Sequence, residues 1–461
     1  MNNDIFQGYK GEALKILQKY KVRVWGTADI DTTRGRFYGT VLPRAENDDD
    51  RHIVIKISTG YNIGVDTATI RSMKETGYKK ANYKIPEKEF PVTPGLPKVK
   101  LFGTGGTIAS RLDYRTGAVI PAFSPGELYG AVPELADICN LETEKVFAVF
   151  SENMGGKQYV ALAKAIGKEI EKGIDGIVIG HGTDTLHHTG AALTFMCQNL
   201  PVPVVLVGSQ RSSDRPSSDA ALNLMHAMKA AGHSDIAEVM VCMFGPTSDE
   251  YGLLHKGTRV RKMHSSYRST FRTIGDTPLA MIDRQKITPI KKNYNKRRCD
   301  KNVRIYPYFS DEVTMLYYYP GMKPDVLDAM IESGYRGIIF VGTGLGHVNK
   351  ELYPAIERAK AKGIHMFMTL QTIWGYVQMF VYDTGRDMMA KGIIPAGNML
   401  PEVAWVKLSW ILGQTNDPEK VKEMMLTPLN DEITLREPYN GYLVYQGGVP
   451  EVEEFIRHVH K

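Results

Sequence analysis

The sequence predicts an α/β protein whose main body is a doubly wound parallel sheet, with a smaller C-terminal α/β domain after it and a small N-terminal β-barrel domain before it. Short, continuous apolar runs typical of strands buried on both faces, separated by stretches of helical periodicity, predict the two α/β parts. Several short β-rich runs before residue 70 predict the barrel. The length of 461 residues agrees, because roughly 100–200 residues per domain allows about two to four domains.

Residues 1–85 make up the predicted N-terminal domain. Residues 1–20 predict an amphipathic helix, with apolar positions such as Leu14 and Leu17 on one face and Lys and Gln on the other. Short β-rich runs follow at residues 22–25, 37–42, 53–57 and 62–65. Prolines then punctuate residues 86–97, which can form neither a helix interior nor a central strand, so we interpret them as an extended linker.

Residues 98–290 alternate between strand and helix and form the predicted main domain. The predicted strands are residues 99–102, 146–150, 176–180, 204–208 and 239–243. The predicted helices between them are residues 157–172, 186–199 and 219–231. This alternation is typical of a doubly wound sheet, in which ligands bind beyond the carboxyl ends of the strands.

A smaller α/β domain is predicted for residues 306–461. Its predicted strands are residues 313–319, 337–341 and 365–370, and its helices are residues 325–333, 352–362 and a segment after Pro401. Residues 291–305 form a basic connection between the two α/β domains. We interpret that connection as a solvated linker, although its lysines and arginines also suit contact with phosphate.

Composition and charge narrow the class of protein. Hydrophobic residues form 43% and charged residues 23% of the chain, which allows sizeable cores and argues against a disordered chain. The net charge of +6 and the pI near 8.8 permit an anionic partner such as RNA without requiring one. The mean hydropathy is -0.25 and no 18-residue apolar run occurs, so we expect no membrane-spanning helix.

The cysteines suggest a reducing compartment. Cys139, Cys197, Cys242 and Cys299 are far apart and show no C-x-x-C or Cys/His spacing, which argues against a disulfide framework and structural zinc. The N-terminus lacks the charged-then-apolar pattern of a secretory signal. We therefore expect a cytoplasmic protein that binds no metal or cofactor itself.

Two loops that follow predicted strands carry groups suited to catalysis. The first predicted strand runs into GTGGTIAS, residues 103–110, where glycines let backbone N–H groups approach a ligand while hydroxyls project among them. The third runs into HGTDT, residues 181–185, where a carboxylate lies between two hydroxyls. Hydroxyls beside a carboxylate suggest a nucleophile that loses its proton in order to attack a carbonyl.

A phosphate or dinucleotide site is the main alternative for the glycine-rich loops. Residues 103–106 lack the third glycine of G-x-G-x-x-G, residues 342–346 are also short of that motif, and no G-x-x-x-x-G-K-[ST] occurs in the chain. His181, His187 and His188 do not form H-E-x-x-H, so we assign them structural or supporting roles rather than metal binding. The sequence therefore favours acyl-transfer chemistry over nucleotide binding.

A nucleophilic hydroxyl needs a base, and the sequence shows no Ser-His-Asp order and no G-x-S-x-G elbow. A lysine or a tyrosine would have to accept the proton. Lys262, within RVRKMH at residues 259–264, is a candidate, because burial near other cations helps a lysine to give up its own proton. The alternative is a solvated lysine in a basic turn.

The motifs TGGTIAS, residues 104–110, and HGTDT, residues 181–185, resemble in order and separation the two signature motifs of the bacterial-type L-asparaginase/glutaminase family. The resemblance extends over roughly residues 97–425 and implies an asparaginase-like fold for both α/β domains. It implies that Thr107 is the nucleophile. It also implies that Thr183, Asp184 and Lys262 activate the nucleophile or relay its proton.

The same resemblance implies further site residues. Tyr114 corresponds to a tyrosine of a flexible loop that assists the nucleophile, and Ser151 and Glu152 correspond to positions that hold the α-carboxylate and amino group of the substrate. Glu152 stands where secreted members commonly have glutamine, and its charge suits a substrate ammonium. The family also implies a homodimer in which a neighbouring subunit contributes an acidic residue to the pocket.

The N-terminal region narrows the resemblance. HIVIK at residues 52–56 and GYNIG at residues 60–64 are similar to the N-terminal domain of the D-type subunits of archaeal glutamyl-tRNA(Gln) amidotransferases. This resemblance implies a glutaminase subunit whose ammonia, taken from L-glutamine, converts Glu-tRNA(Gln) to Gln-tRNA(Gln) on a partner, the E-type subunit of the amidotransferase. It also implies a heterotetramer in which ATP and Mg²⁺ are used on the partner.

Two other functions compete with this interpretation. A free L-asparaginase carrying an accessory domain would release ammonia from asparagine without any partner. An RNA-binding scaffold with an inactive hydrolase body would have no reason to keep Thr107, Thr183, Asp184 and Lys262 together. The sequence therefore favours an active amidohydrolase.

Overall fold

The fold is given by a computed structural model that describes residues 5–44, 48–59, 61–78, 91–105, 110–112, 119–121, 132–211, 217–300, 302–439 and 441–442. The predicted nucleophile Thr107 and the predicted loop residue Tyr114 lie outside these ranges. So do residues 86–90 of the predicted linker.

The N-terminal unit is a helix packed against a five-stranded antiparallel sheet. Helix α1 spans Gly11–Tyr20 and buries Ala13 and Leu17 in the core of this unit. In chain order the strands are β1 (Gly26–Thr32), β2 (Gly35–Val41), β3 (His52–Ile57), β4 (Asn62–Asp66) and β5 (Ile70–Tyr78). Across the sheet they follow the order β4-β3-β2-β1-β5.

The prediction of the N-terminal strands was wrong in two places. Residues 22–25, the first predicted strand, form a turn, and the strand β1 begins only after them, at Gly26. The strand β5 was not predicted. The sequence of β1, GTADIDT, is rich in residues that are unfavourable in strands. Every second residue of β1 is nevertheless buried, and the strand pairs on both sides, so lateral pairing outweighs its weak propensity.

The main domain is built on an eight-stranded mixed sheet. In chain order the strands of this part are β6 (Lys98–Gly103), β7 (Ser110–Leu112), β8 (Val119–Pro121), β9 (Asn140–Lys145), β10 (Gly176–Gly180), β11 (Cys197–Gln198), β12 (Val204–Val207), β13 (Val239–Phe244), β14 (Gly252–Lys256), β15 (Val260–Lys262), β16 (Phe271–Thr273), β17 (Ala280–Ile282) and β18 (Ile287–Pro289). The eight strands of the sheet follow the order β18-β17-β14-β13-β12-β10-β6-β9. The strands from β13 to β9 run parallel, and the remaining three add to one edge in antiparallel fashion.

Helices pack on both faces of this sheet, as the doubly wound prediction requires. Helices α2 (Gly156–Lys172) and α3 (Leu186–Met196) pack on the face that carries Ile177 and Ile179. Helix α4 (Ala220–His233) packs on the opposite face, with Val178. The alternation of core contacts along β10 follows from the period of two of a strand.

The second predicted strand was misplaced. Residues 146–150 are irregular, and the strand is β9, whose sequence NLETEK is half charged. Because β9 is an edge strand, it has a solvated side that accepts such residues. The carboxylates of Glu142 and Glu144 lie 3.7 and 3.3 Å from Nζ of Lys100 on β6, and this contact explains why they are tolerated beside the sheet.

The C-terminal unit is built on a four-stranded parallel sheet, and its predicted strands and helices are confirmed to within a few residues. The strands are β19 (Arg304–Ile305), which pairs with β11, β20 (Val313–Tyr317), β21 (Gly337–Gly342), β22 (His365–Leu370) and β23 (Ile394–Pro395). The sheet follows the order β20-β21-β22-β23. The helices are α5 (Pro324–Glu332), α6 (Tyr353–Ala361), α7 (Asp383–Ala390), α8 (Pro401–Leu412) and α9 (Pro418–Leu426).

One apolar core joins the two α/β units. Helix α3 of the main domain packs against helix α8, and the rings of Phe195 and Trp410 stack with their centroids 5.9 Å apart. The same cluster includes Phe102 of β6 and Ile339 of β21. The two units are therefore held together by buried apolar surface as well as by the chain.

The basic connection is less exposed than the sequence predicts. Nζ of Lys291 lies 2.5 Å from Oδ2 of Asp276 and 3.0 Å from Oδ2 of Asp431. The guanidinium of Arg297 donates to the main-chain carbonyl of Ser234 at 3.0 Å. These contacts fasten the connection to the main domain and to the C-terminal segment.

The four cysteines all lie within the described ranges, and none forms a disulfide. Cys139, Cys197 and Cys242 are buried, whereas Cys299 is exposed. In the described part of the chain, no helix combines the length and the apolar character that crossing a bilayer requires. Across the same residues, no cluster of three His, Cys, Asp or Glu side chains is arranged to hold a metal ion.

The first prediction concerns Lys100. Its ammonium also lies 3.7 Å from Oε1 of Glu169, which is only 2% exposed, so Lys100→Met leaves several carboxylates facing one another beside the sheet. We expect the substitution to lower the free energy of unfolding by about 2–4 kcal/mol, measured by chemical denaturation. Lys98→Met, at an exposed position of the same strand, is the control and should change it by less than about 0.5 kcal/mol. Equal effects of the two changes would contradict this assignment.

The second prediction concerns pH. Burial by itself raises the pKa of Asp431, but the ammonium groups of Lys256 and Lys291 outweigh that effect and lower the pKa from 3.8 to about 2. Because the folded-state pKa is the lower one, the ionised carboxylate stabilises the fold above about pH 4, and this contribution disappears as the pH falls through the folded-state pKa.

We therefore expect the difference in unfolding free energy between wild type and Asp431→Asn to be constant near neutral pH and to shrink between about pH 4 and pH 2. Asparagine is a suitable replacement because position 431 has φ of 55°, which asparagine tolerates. Chemical denaturation at stepped pH measures the difference. A difference that stays constant down to pH 2 would show that the two ammonium groups do not act on Asp431.

Candidate active site

Three neighbouring strands of the main sheet end at the same edge. In the parallel register, Gly103 of β6 pairs with Gly180 of β10, and Gly180 pairs with Val207 of β12. The loops that follow these strands therefore leave the sheet side by side. Thr104, the first residue of the first loop, is buried and donates its hydroxyl to the carbonyl of Gly180 at 2.8 Å, which ties that loop to the second.

Lys262 joins two of the predicted site residues. Its Nζ donates to Oγ1 of Thr183 at 2.9 Å and to Oδ1 of Asp184 at 2.7 Å. The lysine side chain is only 9% exposed, so the alternative of a solvated lysine in a basic turn is wrong. Thr183 is buried as well, whereas the Asp184 side chain is 69% exposed at the mouth of the site. The structure thus brings together a cation, a hydroxyl and a carboxylate that the sequence separates by nearly 80 positions.

A short hairpin carries Lys262 to this place. Strands β15 and β16 pair with each other, and Val260 and Phe271 on them are fully buried in the main core. Arg259, just before the hairpin, is 1% exposed. Its guanidinium donates to the carbonyl of Asn398 at 2.9 Å and to the carbonyl of Asp431 at 2.6 Å. Buried apolar contacts and this arginine fix the base of the hairpin.

Ser151 and Glu152 lie in the segment that follows the edge strand β9. That segment runs along the first loop, because the N–H of Val149 donates to the carbonyl of Thr104 at 3.0 Å. Ser151 is buried with Oγ 3.5 Å from Oδ2 of Asp184, and its carbonyl accepts from the hydroxyl of Thr185 at 2.6 Å. Glu152 is exposed and makes no ion pair with any described residue.

Gly182 makes this close approach possible. A Cβ at position 182 would lie 2.8 Å from Cβ of Ser151, closer than real Cβ contacts occur. Any larger residue would push the second loop away from Ser151. The glycine in HGTDT is therefore required by packing between two loops of the site.

The histidines next to the site are uncharged near neutral pH. His181 is fully buried, its Nδ1 lies 2.6 Å from the carbonyl of Gly182, and its Nε2 lies 2.8 Å from Oγ1 of Thr189. Burial lowers the pKa of His181 and of His188 to about 4 and also lowers the pKa of His187, so all three imidazoles are neutral near pH 7. None of the three therefore contributes a positive charge to the site near pH 7.

The third loop is held by a residue that the sequence reasoning missed. Asp219, at the start of α4, is fully buried and accepts the N–H groups of Gln210 at 3.0 Å and Arg211 at 2.9 Å. It also accepts from the side-chain amide of Asn223 at 2.9 Å. An aspartate directly before a predicted helix is a capping signal that could have identified it, but here the carboxylate reaches back to the loop. Arg259 offered no comparable local signal.

The arrangement suits proton transfer near a carbonyl group. A lysine in contact with a hydroxyl and a carboxylate can pass a proton between them and to a neighbouring group. Backbone N–H groups of glycine-containing loops at the ends of strands suit the stabilisation of an oxyanion. Glu152 is exposed and has no cationic partner among the described residues.

Family models match most of the chain. Residues 98–295 match the model described as asparaginase, N-terminal, and residues 312–425 match the glutaminase/asparaginase C-terminal domain. Residues 26–74 match the GatD N-terminal domain. The three matches follow the N-terminal unit, the main domain and the C-terminal unit in order.

Solved structures support the same fold. The thermostable L-asparaginase from Thermococcus kodakarensis superposes with a TM-score of 0.65 at 30% sequence identity, covering 73% of this chain and 99% of that one. L-asparaginase I from Vibrio cholerae superposes with a TM-score of 0.63 at 26% identity, covering 74% of this chain and 100% of that one. These two superpositions leave about a quarter of this chain unmatched.

Curated relatives match nearly the whole chain. The D-type subunit of glutamyl-tRNA(Gln) amidotransferase from Methanothermobacter thermautotrophicus is 45% identical over 429 residues, which is 93% of this chain and 98% of that protein. The corresponding protein of Thermococcus kodakarensis is 47% identical over 408 residues, which is 88% of this chain and 92% of that protein. This chain therefore belongs to the family of D-type subunits of glutamyl-tRNA(Gln) amidotransferase and has an asparaginase-like amidohydrolase domain.

Proposed function

We propose that this chain hydrolyses the side-chain amide of L-glutamine with Thr107 as nucleophile and supplies the ammonia that converts Glu-tRNA(Gln) to Gln-tRNA(Gln). The observation that carries the proposal is the position of Lys262, which bonds at once to Thr183 and Asp184. The names of the full-length relatives support the tRNA-dependent amidotransferase reaction.

The proposed chemistry is acyl transfer in two steps. The hydroxyl oxygen of Thr107 attacks the amide carbon, and its proton passes through Lys262 to the departing nitrogen, so that the C–N bond breaks and ammonia leaves. Water then attacks the acyl-threonine ester and releases glutamate. The contacts of Lys262 with Thr183 and Asp184 support this route, because they hold the amino group in one position during proton transfer.

Backbone N–H groups of the glycine-rich loops stabilise the oxyanion in this proposal. Tyr114 assists the nucleophile, and both Tyr114 and Thr107 take these roles from the family resemblance. The tie between Thr104 and Gly180 supports the oxyanion role, because it fixes the start of the first loop at the edge of the sheet.

Ser151 and Glu152 bind the α-carboxylate and α-ammonium of glutamine in the proposed complex. The contact of Ser151 with Asp184 supports this, because it holds Ser151 within reach of a residue of the proposed relay. The negative charge of Glu152 has no cationic partner among the residues that the structure describes, so it is available for a substrate ammonium.

The partner in this proposal is the E-type subunit of the amidotransferase, which binds the tRNA and uses ATP and Mg²⁺ to activate the glutamyl ester. We place the complex in the cytoplasm, as a heterotetramer built on a homodimer of this chain. The main support is the name that the full-length relatives share.

The third prediction tests this function against the free L-asparaginase alternative. Ammonia release from glutamine and from asparagine should be measured for the chain alone, with the E-type partner, and with that partner and Glu-tRNA(Gln). We expect weak release by the chain alone, a preference for glutamine, and stimulation by the partner and tRNA. Thr107→Ala should abolish release. Robust partner-independent hydrolysis of asparagine would favour the alternative, and an active Thr107→Ala protein would remove the proposed mechanism.

The fourth prediction concerns the relay. Lys262→Met keeps the length of the side chain but removes the ammonium, so we expect kcat for glutamine hydrolysis in the complex to fall by about 10²–10⁴. KM should change little, because Lys262 does not contact the α-groups of the substrate in this proposal. Lys168→Met, at an exposed position of α2, is the matched control and should leave both constants unchanged. A Lys262→Met protein within threefold of wild type would show that the lysine is not part of the relay.

A further inference from the structure

The third loop of the site contains a carboxylate without a cationic partner. Asp219 is fully buried and makes no ion pair with any residue in the described part of the chain. It is held by N–H donors alone, from Gln210, Arg211 and Asn223. A buried charge is costly even when it is hydrogen-bonded, so a buried aspartate at this place requires a reason besides stability.

What Asp219 holds is the turn after β12. The side-chain amide of Asn223 donates both to Asp219 and, at 3.1 Å, to the carbonyl of Gly208 at the start of the turn. Gly208 lies directly against the relay, because a Cβ at this position would be 2.8 Å from Cγ2 of Thr183. Gly208, Gln210 and Arg211 are therefore held by Asn223 and Asp219, and Gly208 packs against Thr183.

Gln210 lies in this turn, and its side-chain amide is not fully hydrogen-bonded. Its backbone N–H is bonded to Asp219, but its side-chain Nε2 is buried and has no hydrogen-bond partner among the described residues. Leaving a buried donor unsatisfied costs about 1–3 kcal/mol, so an acceptor oxygen of a bound molecule would recover that free energy. Gln198 provides the contrast, because its Nε2 donates to the carbonyl of Phe195 at 3.1 Å.

We infer that Gln210 is a substrate-binding residue that donates from Nε2 to an oxygen of the bound glutamine, and that Asp219 is the positioning residue that holds it. The inference rests on the proposed function, because it assigns a contact within that same site. Glutamine has two kinds of acceptor, its α-carboxylate and its side-chain carbonyl. The side-chain amide of Gln210 can donate a hydrogen bond to either.

The positions of the two residues explain how they act together. Asp219 receives the N–H groups of two successive residues, and this fixes the backbone of the turn from which the Gln210 side chain projects. If that backbone loosens, the amide donor is no longer presented in one place, and the substrate loses the same hydrogen bond that it would lose if Gln210 were absent.

The fifth prediction is a double-mutant cycle in the complex, with KM and kcat for glutamine measured separately. Gln210→Met keeps the size of the side chain and removes the donor, so we expect KM to rise about tenfold with kcat within threefold of wild type. Gln210→Glu, which also lacks the donor, should raise KM at least as much. Asp219→Asn should raise KM to a similar extent, because the asparagine amide has one acceptor oxygen, so one of the two backbone N–H groups loses its partner.

Coupling distinguishes positioning from general damage. If Asp219 acts through Gln210, the double variant Asp219→Asn/Gln210→Met should have the KM of Gln210→Met alone, whereas independent structural effects would multiply. Gln198→Met, whose amide is already bonded elsewhere, is the control and should leave KM unchanged. Thermal unfolding of each variant shows whether a change in KM accompanies a loss of stability.

The outcomes separate this inference from the proposed function. An active wild type with an unchanged KM in Gln210→Met overturns the contact and leaves the glutaminase assignment standing. A multiplicative rise of KM in the double variant overturns the positioning role of Asp219. A wild type that does not release ammonia from glutamine, even with the E-type partner and Glu-tRNA(Gln), refutes the proposed function, and the contact with glutamine fails with it.

Discussion

The site depends on the parallel pairing of β6, β10 and β12. Because Gly103, Gly180 and Val207 are neighbours in the hydrogen-bonding register, the chain must leave the sheet at three adjacent points on one edge. A slip by one residue in any of these strands would turn its buried apolar side chains to the other face and move its loop away from the others. The fully buried apolar residues of these strands, which pack between helices on both faces, therefore fix the position of the loops as well as the stability of the sheet.

The parts of the fold that the sequence predicts well are those whose local pattern and tertiary environment agree. The strands β10, β12 and β13 are continuous apolar runs, and each was located to within a residue of its observed bounds. The local sequences of β1 and β9 do not predict strands, because the first is rich in Gly, Ala and Asp and the second in Glu and Lys. Both are strands because of what lies beside them: two partner strands for β1, and the Lys100 ammonium for β9. A single sequence does not display such lateral partners.

In the candidate site, too, some residues can be predicted from local sequence and others depend on tertiary contacts. HGTDT is a local motif, so Thr183 and Asp184 could be identified from the residues themselves. Lys262 was a weak candidate from its own neighbourhood and became a specific one only through the family resemblance, because its approach depends on the burial of Val260 and Phe271 and on Arg259. The neutral histidines were predicted to be supporting residues, and their burial explains why they carry no charge. Asp219 accepts hydrogen bonds from a loop that precedes it in the chain, and the local sequence does not predict this contact.

Arg259 has a consequence for how the protein can be divided. The strand that carries Lys262 belongs to the main domain, yet the guanidinium at its base is satisfied by carbonyl groups of Asn398 and Asp431, which come from the far end of the chain. A fragment that stops before residue 398 would leave a buried guanidinium with neither carbonyl, at the root of the hairpin that presents the lysine. The two α/β units are thus not separable modules: the main domain contains the candidate site residues Thr183, Asp184 and Lys262, but their arrangement is completed only when the C-terminal unit has folded against it.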